Sequence, residues 1–205
     1  MSGVWRYPRI VAHRGGGTLA PENTLGAIRF GASLGFQGVE FDVMLAGDGT
    51  PVLIHDEALA RTTGAPGEVA KTAYPQLATL DASRRFGRKW RGERIPSFEL
   101  AARLCRELGL WANVEIKPAT GYERRTGEAV ARMTRELWCG AAQAPLLSSF
   151  SPVALAAARD AVPELPRGLI CGRMPPQWHE MLRDLECGSL HCNHRALGQR
   201  TADAV

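Results

Sequence analysis

Short apolar runs alternate with helical spacing along most of the chain. Ile10–Ala12 is a brief extended run that ends at His13. Over Thr24–Leu34 the residues Leu25, Ile28 and Ala32 share one helical face, and Gly35 is a natural stop. Gly38–Val43 and Pro51–Ile54 have the character of strands, joined through the turn-forming Gly47-Asp48-Gly49. Ser97 is an N-cap for a helix over Phe98–Leu108, which Gly109 ends. Trp111–Ile116 is a strand, Glu128–Leu137 lies in a helix, and Leu146–Phe150 is a strand. Ser151-Pro152 opens a helix that runs through Ala161. Arg167–Cys171 and Ser189–Cys192 are strands, and the helix between them carries Trp178, Met181, Leu182 and Leu185.

A repeating strand–helix order predicts parallel strands covered by helices. Seven such strands in 205 residues favour a (β/α) barrel over an open sheet. In such barrels the chemistry collects at the C-terminal ends of the strands. Asp56–Pro96 breaks the alternation. It is rich in turn residues and holds a basic cluster of Arg84, Arg85, Arg88, Lys89, Arg91 and Arg94. A stretch this long inside one domain suggests a functional cap. Its charges form either a solvated face or a positive rim that attracts a phosphate ester.

The totals narrow the function. A charged share of 22% beside 45% hydrophobic residues is that of a folded soluble domain, with no run that could span a membrane. A net charge of +4 suits an anionic substrate and is too small to argue nucleic acid. The start MSGVWRYPRIVAHRG lacks the apolar stretch and cleavage site of a secretion signal. Five scattered cysteines without a CxxC pair are expected as reduced thiols in a cytoplasmic protein. Cys187 and Cys192 lie near His191 and His194, but no second ligand pair completes a zinc site.

The chemistry begins with Glu40 and Asp42. Residues two apart on a strand face the same side, so Val39-Glu40-Phe41-Asp42-Val43 sets two carboxylates on one face and apolar groups on the other. Such carboxylates repel, and a hard divalent cation relieves them. Val114-Glu115-Ile116-Lys117 repeats the pattern and offers a third carboxylate with a cation beside it. His13 and His55 each follow an apolar run directly, and imidazole exchanges protons near neutral pH. A phosphodiester reaction needs one base and one acid. Arg14 adds a planar fork that matches phosphate oxygens. Gly15-Gly16-Gly17 lets the backbone come close to a neighbour without forming a nucleotide loop. His179, His191 and His194 are expected to be structural.

Taken in order, the motifs resemble the glycerophosphodiester phosphodiesterase family. They are His13-Arg14-Gly15, Pro21-Glu22-Asn23-Thr24, Glu40-Phe41-Asp42-Val43, His55-Asp56, Arg61-Thr62-Thr63, Ile95-Pro96, Glu115-Ile116-Lys117 and Ser148-Ser149-Phe150. The resemblance implies a TIM-type (β/α)8 barrel forming one domain over residues 1–205, with an inserted cap at 56–96. It implies Mg²⁺ or Ca²⁺ on Glu40, Asp42 and Glu115, His13 and His55 as the acid–base pair, and Arg14 and Lys117 on the phosphate. The implied reaction cleaves a glycerophosphodiester to sn-glycerol 3-phosphate and an alcohol. In the family mechanism a glycerol hydroxyl attacks phosphorus and the cyclic phosphate is then hydrolysed. Lysophospholipase D-type action on lipid is an alternative, as is a non-catalytic remnant. Family members usually continue to a Trp-Thr-Val-Asn type strand and a last strand ending in Thr-Asp. Neither follows the Ser189–Cys192 strand here, so the barrel is expected to be one or two βα units short. The expected partner is a small glycerophosphodiester, with neither nucleic acid nor stable membrane insertion.

Overall fold

The computed structural model describes residues 6–198. Six strands form one sheet: β1 (Gly38–Leu45), β2 (Pro51–Leu53), β3 (Trp111–Ile116), β4 (Leu146–Ser149), β5 (Arg167–Cys171) and β6 (Ser189–Cys192). Their order is β2-β1-β3-β4-β5-β6. From β1 to β6 every neighbouring pair is parallel. The exception to the expected parallel order is β2, which turns back antiparallel on the far end of β1. The expected Ile10–Ala12 strand is reduced to one parallel bridge, Ala12 to Val39. That bridge lies on the edge of β1 that β2 takes up further along, because β3 occupies the other edge. The arrangement is that of a (β/α) barrel, and among the described residues the sheet does not close.

The helices follow from local signals. Thr24 caps α1 (Leu25–Ser33) by accepting from the Ala27 N–H. Ser97 does the same for α4 (Phe98–Glu107) and Ser151 for α6 (Pro152–Ala161). α5 runs over Glu123–Leu137, starting earlier than its apolar spacing indicates, and α7 over Trp178–Asp184. One face of the sheet carries Val39, Phe41, Val43, Val114, Ile116 and Leu147, which pack with Phe98, Val130 and Ala154 of the helices into the main core. A smaller core joins Leu169 and Leu190 to Leu155, Met181 and Leu185. No helix is long and apolar enough to cross a membrane among the described residues.

Residues 56–96 hold two one-turn α-helices, α2 (Ala60–Thr63) and α3 (Tyr74–Leu77), two 3₁₀ turns at Val69–Lys71 and Arg88–Trp90, and irregular chain. Their apolar residues Leu59, Val69, Leu77 and Ile95 cluster with Met44 of β1 and Val52 of β2. Met44 points the same way as Asp42, so this segment sits on the inner face of the hairpin, beyond the carboxylates. Trp90 meets Phe30 edge-on, and Glu93 accepts from the Gly26 N–H, which pins the segment to α1. The basic side chains of Arg84, Arg85, Arg88, Lys89, Arg91 and Arg94 are exposed.

α5 and α6 pack with almost no clearance. A Cβ on Gly127 would stand 2.2 Å from the Ala154 carbonyl oxygen. Gly127→Ala gains about 1 kcal/mol of helix propensity but must separate two packed helices, an overpacking cost of about 1–3 kcal/mol. We expect a melting temperature several degrees below wild type by calorimetry.

Candidate active site

β1 and β3 lie in register, Glu40 beside Asn113 and Asp42 beside Glu115. With period two, all four face inward while the apolar residues between them face the helices. Ligand oxygens of Glu40, Asp42 and Glu115 lie within 4.8 Å of one another, and all three residues are buried. Among the described residues this is the one group of three potential ligands that comes together.

Neighbours compensate these charges unequally. Asp42 has the most help. Asn23 donates Nδ2 to its Oδ2 at 2.8 Å and accepts from its backbone N–H at 3.1 Å. Arg14 Nε lies 3.3 Å from the same carboxylate, and Lys117 Nζ 3.9 Å. Glu115 accepts from Lys117 Nζ at 3.0 Å. Glu40 accepts the Arg14 backbone N–H at 2.9 Å on Oε2, while its Oε1 is buried without a hydrogen-bond partner. Burial first, and the Asp42 charge second, push the Glu40 carboxyl well above the ordinary value of 4.5 and raise Glu115 too.

The histidine loop is held by a tight backbone fit. His13–Gly15 forms one 3₁₀ turn directly after the Ala12 bridge. Gly31 of α1 makes room for it, since a Cβ there would come within 2.2 Å of the Gly15 carbonyl oxygen. Arg14 and Asn23 adopt left-handed φ of 50° and 58°, strain that is common where side chains must point at a site. His13 Nε2 lies 3.8 Å from Glu40 Oε2. Its pKa is lowered, by partial burial first and by Arg14 second.

His55 arrives from the other side. Because β2 runs antiparallel, its end returns to the level of Asp42, where the Ile54 N–H donates to the Asp42 carbonyl. His55 is thus within electrostatic reach of both His13 and Glu115. Its Nδ1 meets Asp56 Oδ1 at 2.5 Å. Arg61 Nε donates to the other Asp56 oxygen, and this bond leads the causes that hold Asp56 down at about 2. Arg61 also grips Glu22 with two bonds of 2.7 and 2.6 Å, and Glu22 accepts from Arg14 Nη1 at 2.9 Å. An unbroken chain of charges therefore links Arg14, Glu22, Arg61, Asp56 and His55.

All seven residues marked in the sequence converge here: His13, Arg14, Glu40, Asp42, His55, Glu115 and Lys117. The clamp by Asn23 and the chain through Glu22, Arg61 and Asp56 were not assigned any role. All four stand in the quoted motifs, which was the one signal that could have found them.

The donor set fits a hard divalent cation. Three buried carboxylates converge, two have raised pKa values, and one keeps an unpartnered buried oxygen. An acidic group that could hold a cation at the C-terminal strand ends of a barrel-type sheet, flanked by imidazoles, Arg14 and Lys117, suits a protein of the phosphoester-handling class. Within that class, the chain belongs to the glycerophosphoryl diester phosphodiesterase family, whose model matches residues 13–204. It is 36% identical over 188 residues to a glycerophosphodiester phosphodiesterase of Caldanaerobacter subterraneus, covering 89% of this chain and 74% of that one. Human glycerophosphodiester phosphodiesterase 1 is 37% identical over 128 residues, 62% of this chain and 38% of the human one. The fold superposes with a TM-score of 0.91, at 36% identity, on an Oleispira antarctica phosphodiesterase solved with its product sn-glycerol 3-phosphate. That match covers 96% of this chain and 80% of that one.

The raised carboxyls set the sign of a stability test. The folded protein keeps protons on Glu40 and Glu115 that the unfolded chain releases near 4.5. Their contribution to stability is therefore full below that pH and lost as pH rises through the folded values. In EDTA, Glu40→Gln should melt above wild type at pH 8, with the gap closing below pH 4.5. Millimolar Mg²⁺ or Ca²⁺ should raise the melting temperature of wild type and have little effect on the variant.

Proposed function

We propose that the protein hydrolyses glycerophosphodiesters to sn-glycerol 3-phosphate and an alcohol. The observation that carries this reading is the convergence of Glu40, Asp42 and Glu115 between two imidazoles in a member of this family. The product named for the Oleispira antarctica structure supports the substrate class. Glu40, Asp42 and Glu115 would hold the cation, Mg²⁺ or Ca²⁺. When bound it shields phosphate charge and acidifies a hydroxyl. Residues 56–96 would act as a cap inserted into one catalytic domain.

Arg14 and Lys117 would take the phosphate oxygens, the first as a planar fork and the second as a point charge. Asp56, ionised at neutral pH, accepts from His55 Nδ1 and so fixes the orientation of the ring. His55 is therefore assigned as the base that takes the proton of the attacking hydroxyl as the new O–P bond forms. His13 is assigned as the acid that protonates the leaving alcohol oxygen as its bond to phosphorus breaks; water then opens the cyclic phosphate in the reverse sense, giving its proton to His13 while His55 returns one to the released glycerol oxygen.

The test is turnover of glycerophosphocholine with Mg²⁺ or Ca²⁺, read as sn-glycerol 3-phosphate release. His13→Ala should lower kcat by about 10²–10⁴ with little change in melting temperature, and His55→Ala should lower it by a similar factor with some loss of stability, since Asp56 loses a partner. Folded protein without turnover on any glycerophosphodiester, or a fully active His13→Ala, would refute the assignment.

A further inference from the structure

The inner face of the sheet continues past the acidic group. Glu115 is in register with Ser148, Ser148 with Gly168, and Gly168 with Ser189. His191 lies two residues beyond Ser189 and so faces the same way. Leu169 and Leu190, which alternate with these residues, face the helices. The row therefore runs from Glu115 across three further strands on the side that carries the chemistry.

Two details give this row a purpose. Gly168 has no side chain where its neighbours need room: a Cβ there would stand 2.5 Å from Ser189 Oγ and 3.1 Å from His191 Nε2. Both polar groups thus lie over β5, toward Ser148. Ser148 is fully buried, and its hydroxyl has no hydrogen-bond partner. A buried hydroxyl left unmatched is costly and marks a place for a ligand or water. His191 Nε2 and Ser189 Oγ share a hydrogen bond of 3.1 Å, and the other ring nitrogen makes none among the described residues. Burial lowers the pKa of His191, so the imidazole is neutral at neutral pH. The row then offers groups that both donate and accept, without net charge.

We propose that His191, with Ser148 and Ser189, forms a neutral wall that binds the glycerol hydroxyl of the substrate that does not attack phosphorus. This rests on the phosphodiesterase reading above. A glycerophosphodiester has an anionic end for Arg14, Lys117 and the cation, and an uncharged polyol end that charged side chains serve poorly. The β4–β6 half of the inner face offers uncharged donors and acceptors for the second end.

The experiment is calorimetric titration with sn-glycerol 3-phosphate and with ethyl phosphate, which lacks the hydroxyls, in saturating Mg²⁺ or Ca²⁺. His191→Ala should weaken glycerol 3-phosphate binding about tenfold, the loss of one hydrogen bond to a neutral group, and leave ethyl phosphate within about twofold. His191→Gln, which still donates and accepts, should restore part of the loss. Ser189→Ala carries the same comparison if His191→Ala does not melt cooperatively. Equal weakening of both ligands, or no weakening of either, overturns the inference while wild-type turnover of glycerophosphocholine leaves the parent reading standing. Wild-type protein that neither binds glycerol 3-phosphate nor turns over glycerophosphocholine overturns both.

Discussion

Three carboxylates held within 4.8 Å in a buried strand layer repel one another, and most of what surrounds them answers that repulsion. The compensation is graded. Asp42, the most buried, receives Asn23 twice, Arg14 and Lys117. Glu115 receives Lys117. Glu40 receives one backbone N–H and keeps an orphaned oxygen. Protein groups alone therefore neutralise the pocket only in part, and Glu40, Asp42 and Glu115 are the residues that would hold a cation there. The raised Glu40 and Glu115 pKa values record the same imbalance in protons.

The second constraint is to keep two imidazoles from different parts of the chain beside that pocket. The chain of charges does this across long sequence gaps. Arg61, from the first turn of the segment after β2, bonds Glu22 from the loop after His13 and Asp56 beside His55. Removing any member would leave a partly buried partner without its counter-charge, which costs more than the bond itself contributed. Two left-handed residues, Arg14 and Asn23, belong to the same construction. Their strain is offset because Arg14 gives both its backbone N–H and its guanidinium to the site, and Asn23 closes a two-bond clamp on Asp42.

Much of this was legible in the chain because the informative residues obey strand periodicity. Glu40, Asp42, Glu115 and Lys117 alternate with Val39, Phe41, Val43, Val114 and Ile116, so their common side follows from spacing alone. Strands β3, β5 and β6 and helix α6 have the bounds expected from their apolar runs and caps. What escaped notice depends on contacts distant in sequence. Glu22 and Arg61 are ordinary surface charges until α2 brings them together, and no periodicity encodes that. His191, expected to be structural, has no sequence pattern that marks it out. Its neighbours across the sheet, Gly168 and Ser148, give it meaning. The brief Ile10–Ala12 run makes a single bridge and no longer ladder, because apolar residues mark extended chain without saying how many find a partner.

The antiparallel β2 is the departure from barrel order that most affects the site. A parallel return would need a crossover of a dozen or more residues. The hairpin returns within a few residues and stops at the height of Asp42, so His55 is mounted on a short, rigid arm. The same device extends β1 to Leu45 and exposes Met44 and Val52 on the inner side, which the segment 56–96 covers with Leu59, Val69 and Leu77. That cover also guards the register. A slip of β1 by one residue would turn Glu40 and Asp42 into the apolar helix layer and Phe41 and Val43 into the pocket. Met44 would leave its cluster in the same movement, and the Gly38–Val43 ladder to β3 would lose its pairing. Apolar packing on both faces of one strand thus holds the carboxylates against the charge repulsion that would drive them apart.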